Sequence, residues 1–453
     1  MKVKYLIFIC IFLFSQYILS GQEKLMKIDS LYLTSIDDFY EKADSAKSEI
    51  WNEMELAPIC LFRVNGPALL YNHPNPPQKF TQVTDKLYVG KQSDLQLYGS
   101  TQMEINDILT AIADYGADSY SCIEEVYAVV FHELHHVYQT NFIDQLEFDN
   151  PAILLTYPEN YANDAIKNYE QKILYNMCFE QDSLKFQSLL NQFYSCRFKR
   201  QQIINTYAKY EESVENIEGP AFYCEYSYYN RFCSKNNALK SSYINTHFFD
   251  ILSSPYYGRN NLRERHLASG MVMCYILDRY FNNWQRDYYS KEISLYSYFM
   301  SRFNPQKEEL KIDSSFFSLS NFHTQQAIVE HQMSFDKFMD QPGIKINLEF
   351  SETPKFEGFD PMNAESINDS IILHSTILKL SNGDENKLFI HYDRAVTLVD
   401  KEIWFVRKVI LFVSKENIRI ENDKLFVDTE KVNIAWTGKL KKKNEKEIIF
   451  NCE

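Results

Sequence analysis

The segment His132-Glu133-Leu134-His135-His136 constrains the fold most, because its two outer histidines can share a metal ion only if the segment is helical. At positions i and i+4 of an α-helix, His132 and His136 project from one face and present two nitrogens to a single Zn²⁺. Glu133 lies about 100° further round, where it faces the open coordination position and can take a proton from a metal-bound water. The segment therefore predicts a helical zinc site with His132 and His136 as ligands and Glu133 as the general base.

The residues around this segment favour a helix that is buried on one side. Ser121 and Glu124 have the spacing of a capping box, which predicts that a helix begins here. Apolar residues follow at helical spacing: Ile123, Val126, Val130, Leu134 and Val137. His135 occupies a variable position of the motif, so we expect it to pack against the core or to support the ligands.

The N-terminus has the three regions of a secretory signal peptide. Two lysines precede an apolar run, Tyr5 to Phe14, and the small pair Ser20-Gly21 follows. We expect residues 1–21 to be removed, which predicts a secreted or periplasmic protein. A membrane anchor is the alternative, but the run is short for a span and no other stretch is long enough, so we expect no stable membrane span after cleavage.

Composition narrows the class of partner. The chain has 47 basic and 61 acidic residues and a formal net charge of −14, which argues against nucleic acid or an anionic membrane surface as a partner. A peptide or protein substrate is the expectation, and the oligomeric state is not predicted. Nine cysteines are scattered along 453 residues. A chain of this length does not need disulfides for stability, so we expect buried free thiols.

The hydrophobic pattern divides the chain into three regions, with an overall α+β fold class. A helical pattern near 28–55 and short extended runs over 59–98 predict an N-terminal helix and small sheet within 28–120. Long helical patterns, including 187–212 and 262–281, then predict a helical body over 121–342. Together, 22–342 are expected to form one catalytic region.

The remaining region, 343–453, has the period of two that is typical of strands. Ile344, Ile346, Leu348 and Phe350 alternate with polar residues. The extended runs 371–380 and 387–392 flank a turn that contains Asn382-Gly383. Further strands are predicted at 404–413, 418–420, 424–427 and 432–436. We expect an all-β domain, either a sandwich or a barrel.

A zinc site of this type needs a third protein ligand, and the segment Glu218 to Tyr223 (Glu-Gly-Pro-Ala-Phe-Tyr) is a candidate source. Together with the His132 motif, it resembles the gluzincin metallopeptidases, including the aminopeptidase-N-like group, in which a helical Glu-Gly-x-Ala-x-Tyr segment supplies that ligand. The resemblance implies a zincin-like catalytic domain with His132, His136 and Glu218 around one Zn²⁺ and Glu133 as the base.

Other glutamates compete for the role of third ligand. Glu218 follows His136 by 82 residues, and Pro220 would remove a helical hydrogen bond unless the helix begins or kinks there. Glu159, Glu170 and Glu215 therefore stay open as alternatives.

Two further residues are candidates for handling the substrate. The segment Gln102 to Asn106 resembles the Gly-x-Met-Glu-Asn segment with which aminopeptidases of that group hold a free amine, which makes Glu104 a candidate substrate-binding residue. Peptide hydrolysis also needs a donor to the developing oxyanion, and His266 and Tyr223 are the candidates.

These observations lead to one functional hypothesis and one alternative. The hypothesis is a secreted or periplasmic zinc peptidase that hydrolyses peptide bonds with a water activated by zinc and Glu133. The alternative is a catalytically retired zincin-fold protein that binds a partner or serves as a scaffold outside the cytoplasm.

Overall fold

The computed structural model describes residues 26–116, 120–142, 153–253, 262–400 and 402–453. The predicted signal peptide, residues 1–21, lies outside the described residues. Within them, the fold is mixed α+β, as predicted: an N-terminal sheet and a helical region are followed by a C-terminal sheet. None of the helices described is long and apolar enough to cross a membrane.

A long helix and a six-stranded sheet form the N-terminal part. Its elements are α1 (Lys27–Ile50), β1 (Ile59–Phe62), β2 (Pro67–Tyr71), β3 (Thr81–Gln82), β4 (Leu87–Lys91), α2 (Gln92–Leu95), β5 (Thr101–Ile105) and β6 (Ile108–Asp114). The strand order is β3-β4-β2-β1-β6-β5, with β1 and β6 parallel and the other neighbours antiparallel. Strand β5 is therefore an edge strand.

The helical region follows from Ile123 onward. Its elements are α3 (Ile123–Gln139), a 3₁₀ turn (Thr140–Phe142), α4 (Ile153–Thr156), α5 (Tyr161–Phe179), α6 (Ser183–Ile204), α7 (Tyr207–Phe232), α8 (Asn237–Ile244), a π-helical turn (Asn245–Phe249), α9 (Asp250–Ser253), α10 (Leu262–Tyr280), α11 (Trp284–Ser290), α12 (Leu295–Phe303) and α13 (Ser314–Met339). The long helical pattern over 187–212 corresponds to parts of two helices, α6 and α7. Asn205 has a φ of +48°, which an α-helix does not accommodate, so α6 ends there and α7 begins two residues later.

Helix α3 lies where the motif predicted it, but its start differs from the prediction. Cys122 is the N-cap residue, and the backbone N–H and hydroxyl of Ser121 donate to Glu125, each at 2.6 Å. Glu124 instead accepts a hydrogen bond from Ser234. The predicted capping box of Ser121 and Glu124 is therefore wrong, because the helix begins one residue later and its chain entry is held by the next glutamate.

The expected apolar stripe buries α3 in the largest hydrophobic core of the described residues. Val126, Val130 and Leu134 are each at most 1% exposed. They share this core with residues of α1, the N-terminal sheet and α7, including Phe39, Ala113 and Tyr228. The packing holds α3 against α7, which carries Glu218.

Helices α7 and α10 cross at two glycines. A Cβ atom on Gly219 would lie 2.6 Å from the Cα of Gly270, and a Cβ on Gly270 would lie 2.7 Å from the Cα of Gly219. Backbone atoms cannot rotate away as a side chain can. Pro220 lies within α7 beside this crossing, so the proline is accommodated inside the helix. The close approach explains why glycine follows Glu218.

We expect Gly219→Ala to destabilise the protein. The overlap involves backbone atoms, so the packing cost should reach the upper end of the usual range, about 3 kcal/mol. Alanine recovers about 1 kcal/mol of helix propensity, which leaves a net loss of about 2 kcal/mol in the free energy of unfolding. Chemical denaturation measures this. Gly358→Ala is the matched control, because a Cβ there meets no atom within 4 Å. A Gly219→Ala variant as stable as that control would refute the crossing.

The described residues of the C-terminal region form twelve strands. They are β7 (Ile344–Phe350), β8 (Lys355–Phe359), β9 (Ala364–Asn368), β10 (Ile371–His374), β11 (Ile377–Asn382), β12 (Asn386–His391), β13 (Ala395–Asp400), β14 (Glu402–Val413), β15 (Ile418–Glu421), β16 (Lys424–Asp428), β17 (Val432–Lys443) and β18 (Glu447–Cys452). The main path is β8-β11-β12-β17-β18-β7-β14-β13-β10-β9, and the β15–β16 hairpin joins β17. The sheet is nearly barrel-shaped.

The strand prediction for this region needs two corrections. The run predicted over 371–380 is two strands, β10 and β11, which separate at Ser375-Thr376 and pair with different neighbours. Strands β8, β9, β13 and β18 were not predicted, and β8 and β9 lack the alternating burial on which such a prediction depends. The turn at Asn382-Gly383 is confirmed, with a φ of +71° at Gly383.

The cysteines follow the prediction. All eight in the described residues are free, and all but the half-buried Cys122 are buried. Burial raises the pKa of the Cys178 thiol to about 12 and that of Cys224 well above its usual value. Such thiols are unreactive.

Candidate metal centre

Helices α3 and α7 bring together three side chains that can hold a metal ion. The Nε2 atoms of His132 and His136 lie 2.9 Å apart, and each lies 3.4 Å from Oε2 of Glu218. His132 and Glu218 are 8% and 7% exposed, and His136 is half-buried. No other group of three or more His, Cys, Asp or Glu side chains converges in this way within the part of the chain that the structure describes.

The spacing of the three atoms fits a tetrahedral site. Metal–ligand distances of about 2.0–2.1 Å place the ligand atoms of a tetrahedral zinc site about 3.3 Å apart. The two carboxylate–imidazole distances of 3.4 Å match this value, and the two rings need to separate only by a few tenths of an ångström. A buried His-His-Glu group can therefore hold a metal ion, with the fourth position left for another ligand.

Two side chains orient the histidines through their second nitrogens. Glu225 Oε2 lies 3.0 Å from His132 Nδ1, and Gln139 Oε1 lies 2.7 Å from His136 Nδ1. Gln139 is itself held by a 2.9 Å hydrogen bond from its Nε2 to the carbonyl oxygen of Ile217. Acceptors at Nδ1 hold the Nδ1–H of each ring and turn both Nε2 atoms toward the position that a metal would occupy.

The carboxylates around the histidines favour a positive charge at the centre. Burial disfavours charged imidazole, but hydrogen bonds to Glu218 and Glu225 outweigh it and raise the pKa of His132 to about 10. Burial likewise disfavours the Glu218 anion, yet the charge of His136 and hydrogen bonds from both imidazoles hold the pKa of Glu218 well below its usual range. A bound cation would supply the same compensating charge.

Arg263 anchors the other oxygen of Glu218. Its guanidinium donates to Oε1, while Oε2 faces the two imidazoles. Both oxygens of Glu218 are thereby held, which fixes the plane of its carboxylate.

Glu133 follows His132 on α3 and lies beside this group. Its side chain is 7% exposed, and its carboxylate has no hydrogen-bond partner among the residues that the structure describes. Burial raises the pKa of Glu133. The two histidines lower it, and the negative charges of Glu218 and Glu225 raise it further, so the net shift is upward. Glu133 is thus the one acidic side chain at the centre that the described contacts leave available for proton transfer.

The competing glutamates have other partners. Glu170 accepts hydrogen bonds from Lys167 at 3.1 Å, Arg197 at 2.9 Å and Arg200 at 3.1 Å. Glu215 forms a two-point ion pair with Arg197, both contacts at 2.8 Å. Glu159 is not part of the three-residue group.

The remaining candidates lie in different surroundings. His135 is fully buried and packs edge-on against Trp51 with ring centroids 4.4 Å apart, so it is a packing residue. His266 is also fully buried; its Nδ1 donates to the Leu262 carbonyl at 2.6 Å and its Nε2 lies 3.3 Å from Glu211. The contacts of His266 therefore join it to the buried ion pairs of α6 and α7 rather than to the metal ligands.

Glu104 and Tyr223 are placed as follows. Glu104 is exposed on the edge strand β5, and its proposed contact with a substrate amine stays a prediction. Tyr223 is 4% exposed and packs 6.2 Å from Trp284, which places it in the core. The structure gives neither Tyr223 nor His266 a contact with the three metal-binding side chains, and their oxyanion role also stays a prediction.

Sequence reasoning missed Glu225, Gln139 and Arg263. A helical signal existed for the first two, because Glu225 lies two turns after Glu218 and Gln139 lies one turn after His136. No sequence signal connects Arg263 to a glutamate 45 residues away.

No protein-family model matches this chain, and neither the curated proteins nor the solved structures contain a match.

Proposed function

We propose that this protein is a zinc-dependent peptidase of the gluzincin type that acts outside the cytoplasm. The observation that carries the proposal is the convergence of His132, His136 and Glu218, with the Glu133 carboxylate beside them and without a hydrogen-bond partner among the described residues. Three protein ligands and one open position are typical of catalytic zinc sites, whereas structural sites usually have four protein ligands.

The choice of zinc rests on the donor set. Two imidazole nitrogens and one carboxylate oxygen suit Zn²⁺ better than Ca²⁺ or Mg²⁺, which prefer oxygen ligands. A zinc ion held there would lower the pKa of a water at the open position to about 7.

Glu133 would move the proton in the reaction. Its carboxylate accepts a proton from the water that attacks the peptide carbonyl, and then delivers it to the amine as the C–N bond breaks. The orientation of His132 by Glu225 and of His136 by Gln139 keeps the ligands in place.

The sequence of residues 1–21 is the basis for placing the protein in the periplasm or outside the cell. The cysteines are compatible with such a compartment, because seven of the eight described are buried.

Metal analysis together with a peptide-cleavage assay tests the proposal. We expect one zinc per chain, loss of peptide hydrolysis on chelation, and recovery when zinc is added back. His136→Ala should lose both metal and activity, and His391→Ala in strand β12 is the control that should keep both. Purified protein that binds no zinc even after reconstitution would refute the proposal, and protein that binds zinc but cleaves no peptide in a diverse library would favour the retired scaffold.

A further inference from the structure

The carboxylate of Glu225 is shared between two histidines. Oε2 lies 3.0 Å from Nδ1 of His132, and Oε1 lies 2.8 Å from Nε2 of His247. Glu225 is only 4% exposed. Within the described residues it has no lysine or arginine partner, so its hydrogen bonds and ion pairs are to these two imidazoles alone.

The surroundings of His247 hold its ring in place. His247 lies in the π-helical turn Asn245–Phe249. Such turns are rare in proteins, and those that occur are often found at functional sites. Its ring stacks on Tyr243 with centroids 4.9 Å apart and an interplanar angle of 19°. The ring of Phe222 meets it edge-on at 5.5 Å. Two aromatic contacts therefore leave Nε2 directed at Glu225, although the His247 side chain is 39% exposed.

A second partner changes what Glu225 can do. Burial of a carboxylate oxygen without a hydrogen bond is unfavourable, so a carboxylate with one unpaired oxygen is stabilised if it rotates toward another donor. A contact on each oxygen removes that incentive, because any rotation that improves one hydrogen bond breaks the other.

We propose that His247 is a positioning residue of the metal centre: it holds Glu225 in the orientation in which Glu225 fixes the ring of His132, so that Nε2 of His132 faces the metal. The inference rests on the metal centre of the proposed function and is independent of the reaction catalysed there. It assigns a role to a residue 115 positions after His132, the first of the three ligand residues, on a helical segment that contributes no ligand.

The first test measures the zinc dissociation constant of the full mature protein by competition with a chelator. Loss of a partner that orients a ligand weakens metal binding by about 10- to 100-fold. His247 acts through Glu225, so His247→Ala should give an effect at the lower end, about 10-fold. His247→Gln should recover most of the affinity, since its amide can donate to Oε1. His247→Asn is one methylene shorter and should behave like the alanine variant.

The second test asks whether the effect passes through Glu225. In a Glu225→Ala background, His247→Ala should weaken zinc binding no further, because the shared carboxylate is already absent. His391→Ala is the matched control and should leave the zinc affinity unchanged. Thermal unfolding of the metal-free variants reports separately on folding. If the alanine variant is unstable, the zinc affinities of His247→Gln and His247→Asn still test the positioning role.

The outcomes separate this inference from the proposed function. Unchanged zinc affinity in His247→Ala, equal affinity in the Gln and Asn variants, or a full additional loss in the Glu225→Ala background would each overturn the positioning role alone. Wild-type protein that binds no zinc would overturn both proposals. Zinc binding with the expected His247 effects but without peptide hydrolysis would overturn the peptidase and support the positioning role.

Discussion

Glu133→Gln should abolish most of the peptidase activity while zinc stays bound. The amide has the size of the carboxylate but cannot accept the proton of the attacking water, and a positioned general base contributes about 10²- to 10⁴-fold to the rate. We therefore expect kcat to fall at least 100-fold. The three metal ligands are untouched, so metal analysis should still find one zinc per chain.

Glu124→Gln is the matched control for this variant. It makes the same chemical change in the first turn of the same helix, where Glu124 accepts a hydrogen bond from Ser234 away from the metal ligands. Its kcat should stay close to that of the wild type. Near-normal turnover in Glu133→Gln would contradict the mechanism, and loss of zinc in that variant would assign Glu133 to metal binding instead.

Glu218→Ala should lose zinc affinity and activity together. Removal of a group that only orients a ligand costs about 10- to 100-fold in metal affinity, so removal of a ligand should cost more than about 100-fold. The variant also leaves Arg263 without one of its contacts. Chelator competition measures the affinity, and the same sample reports on peptide hydrolysis.

Glu170→Gln provides the contrast, because it tests the main competing glutamate. Glu170 is fully buried between Lys167, Arg197 and Arg200, so its neutralisation should lower the free energy of unfolding by about 3–5 kcal/mol. The folded fraction should nevertheless bind zinc with unchanged affinity. The reverse pattern, with zinc lost in Glu170→Gln and kept in Glu218→Ala, would transfer the ligand role to Glu170.

Local patterns in the sequence predicted the helices best. Helix α3 begins two residues after the predicted start at 121, and helix α10 ends one residue before the predicted range 262–281 ends. Both predictions were close because the helical period of 3.6 residues extends over several turns. Boundaries that depend on one residue were missed. Asn205 breaks a long helical pattern, and the half-buried strands β8 and β9 do not alternate between buried and exposed residues.

The sequence by itself identified the two histidines and the proposed base, since one helical turn sets the spacing of His132, Glu133 and His136. It could not choose the third ligand, because Glu170, Glu215 and Glu218 are all glutamates on helices downstream. The tertiary structure decided among them: Arg197 neutralises the first two, while the close crossing at Gly219 and the packing of α7 on α3 direct Glu218 to the histidines. The orienting contacts of Glu225 and His247 also depend on the tertiary structure, because a side chain's partner is set by which helices pack together and not by its distance along the chain.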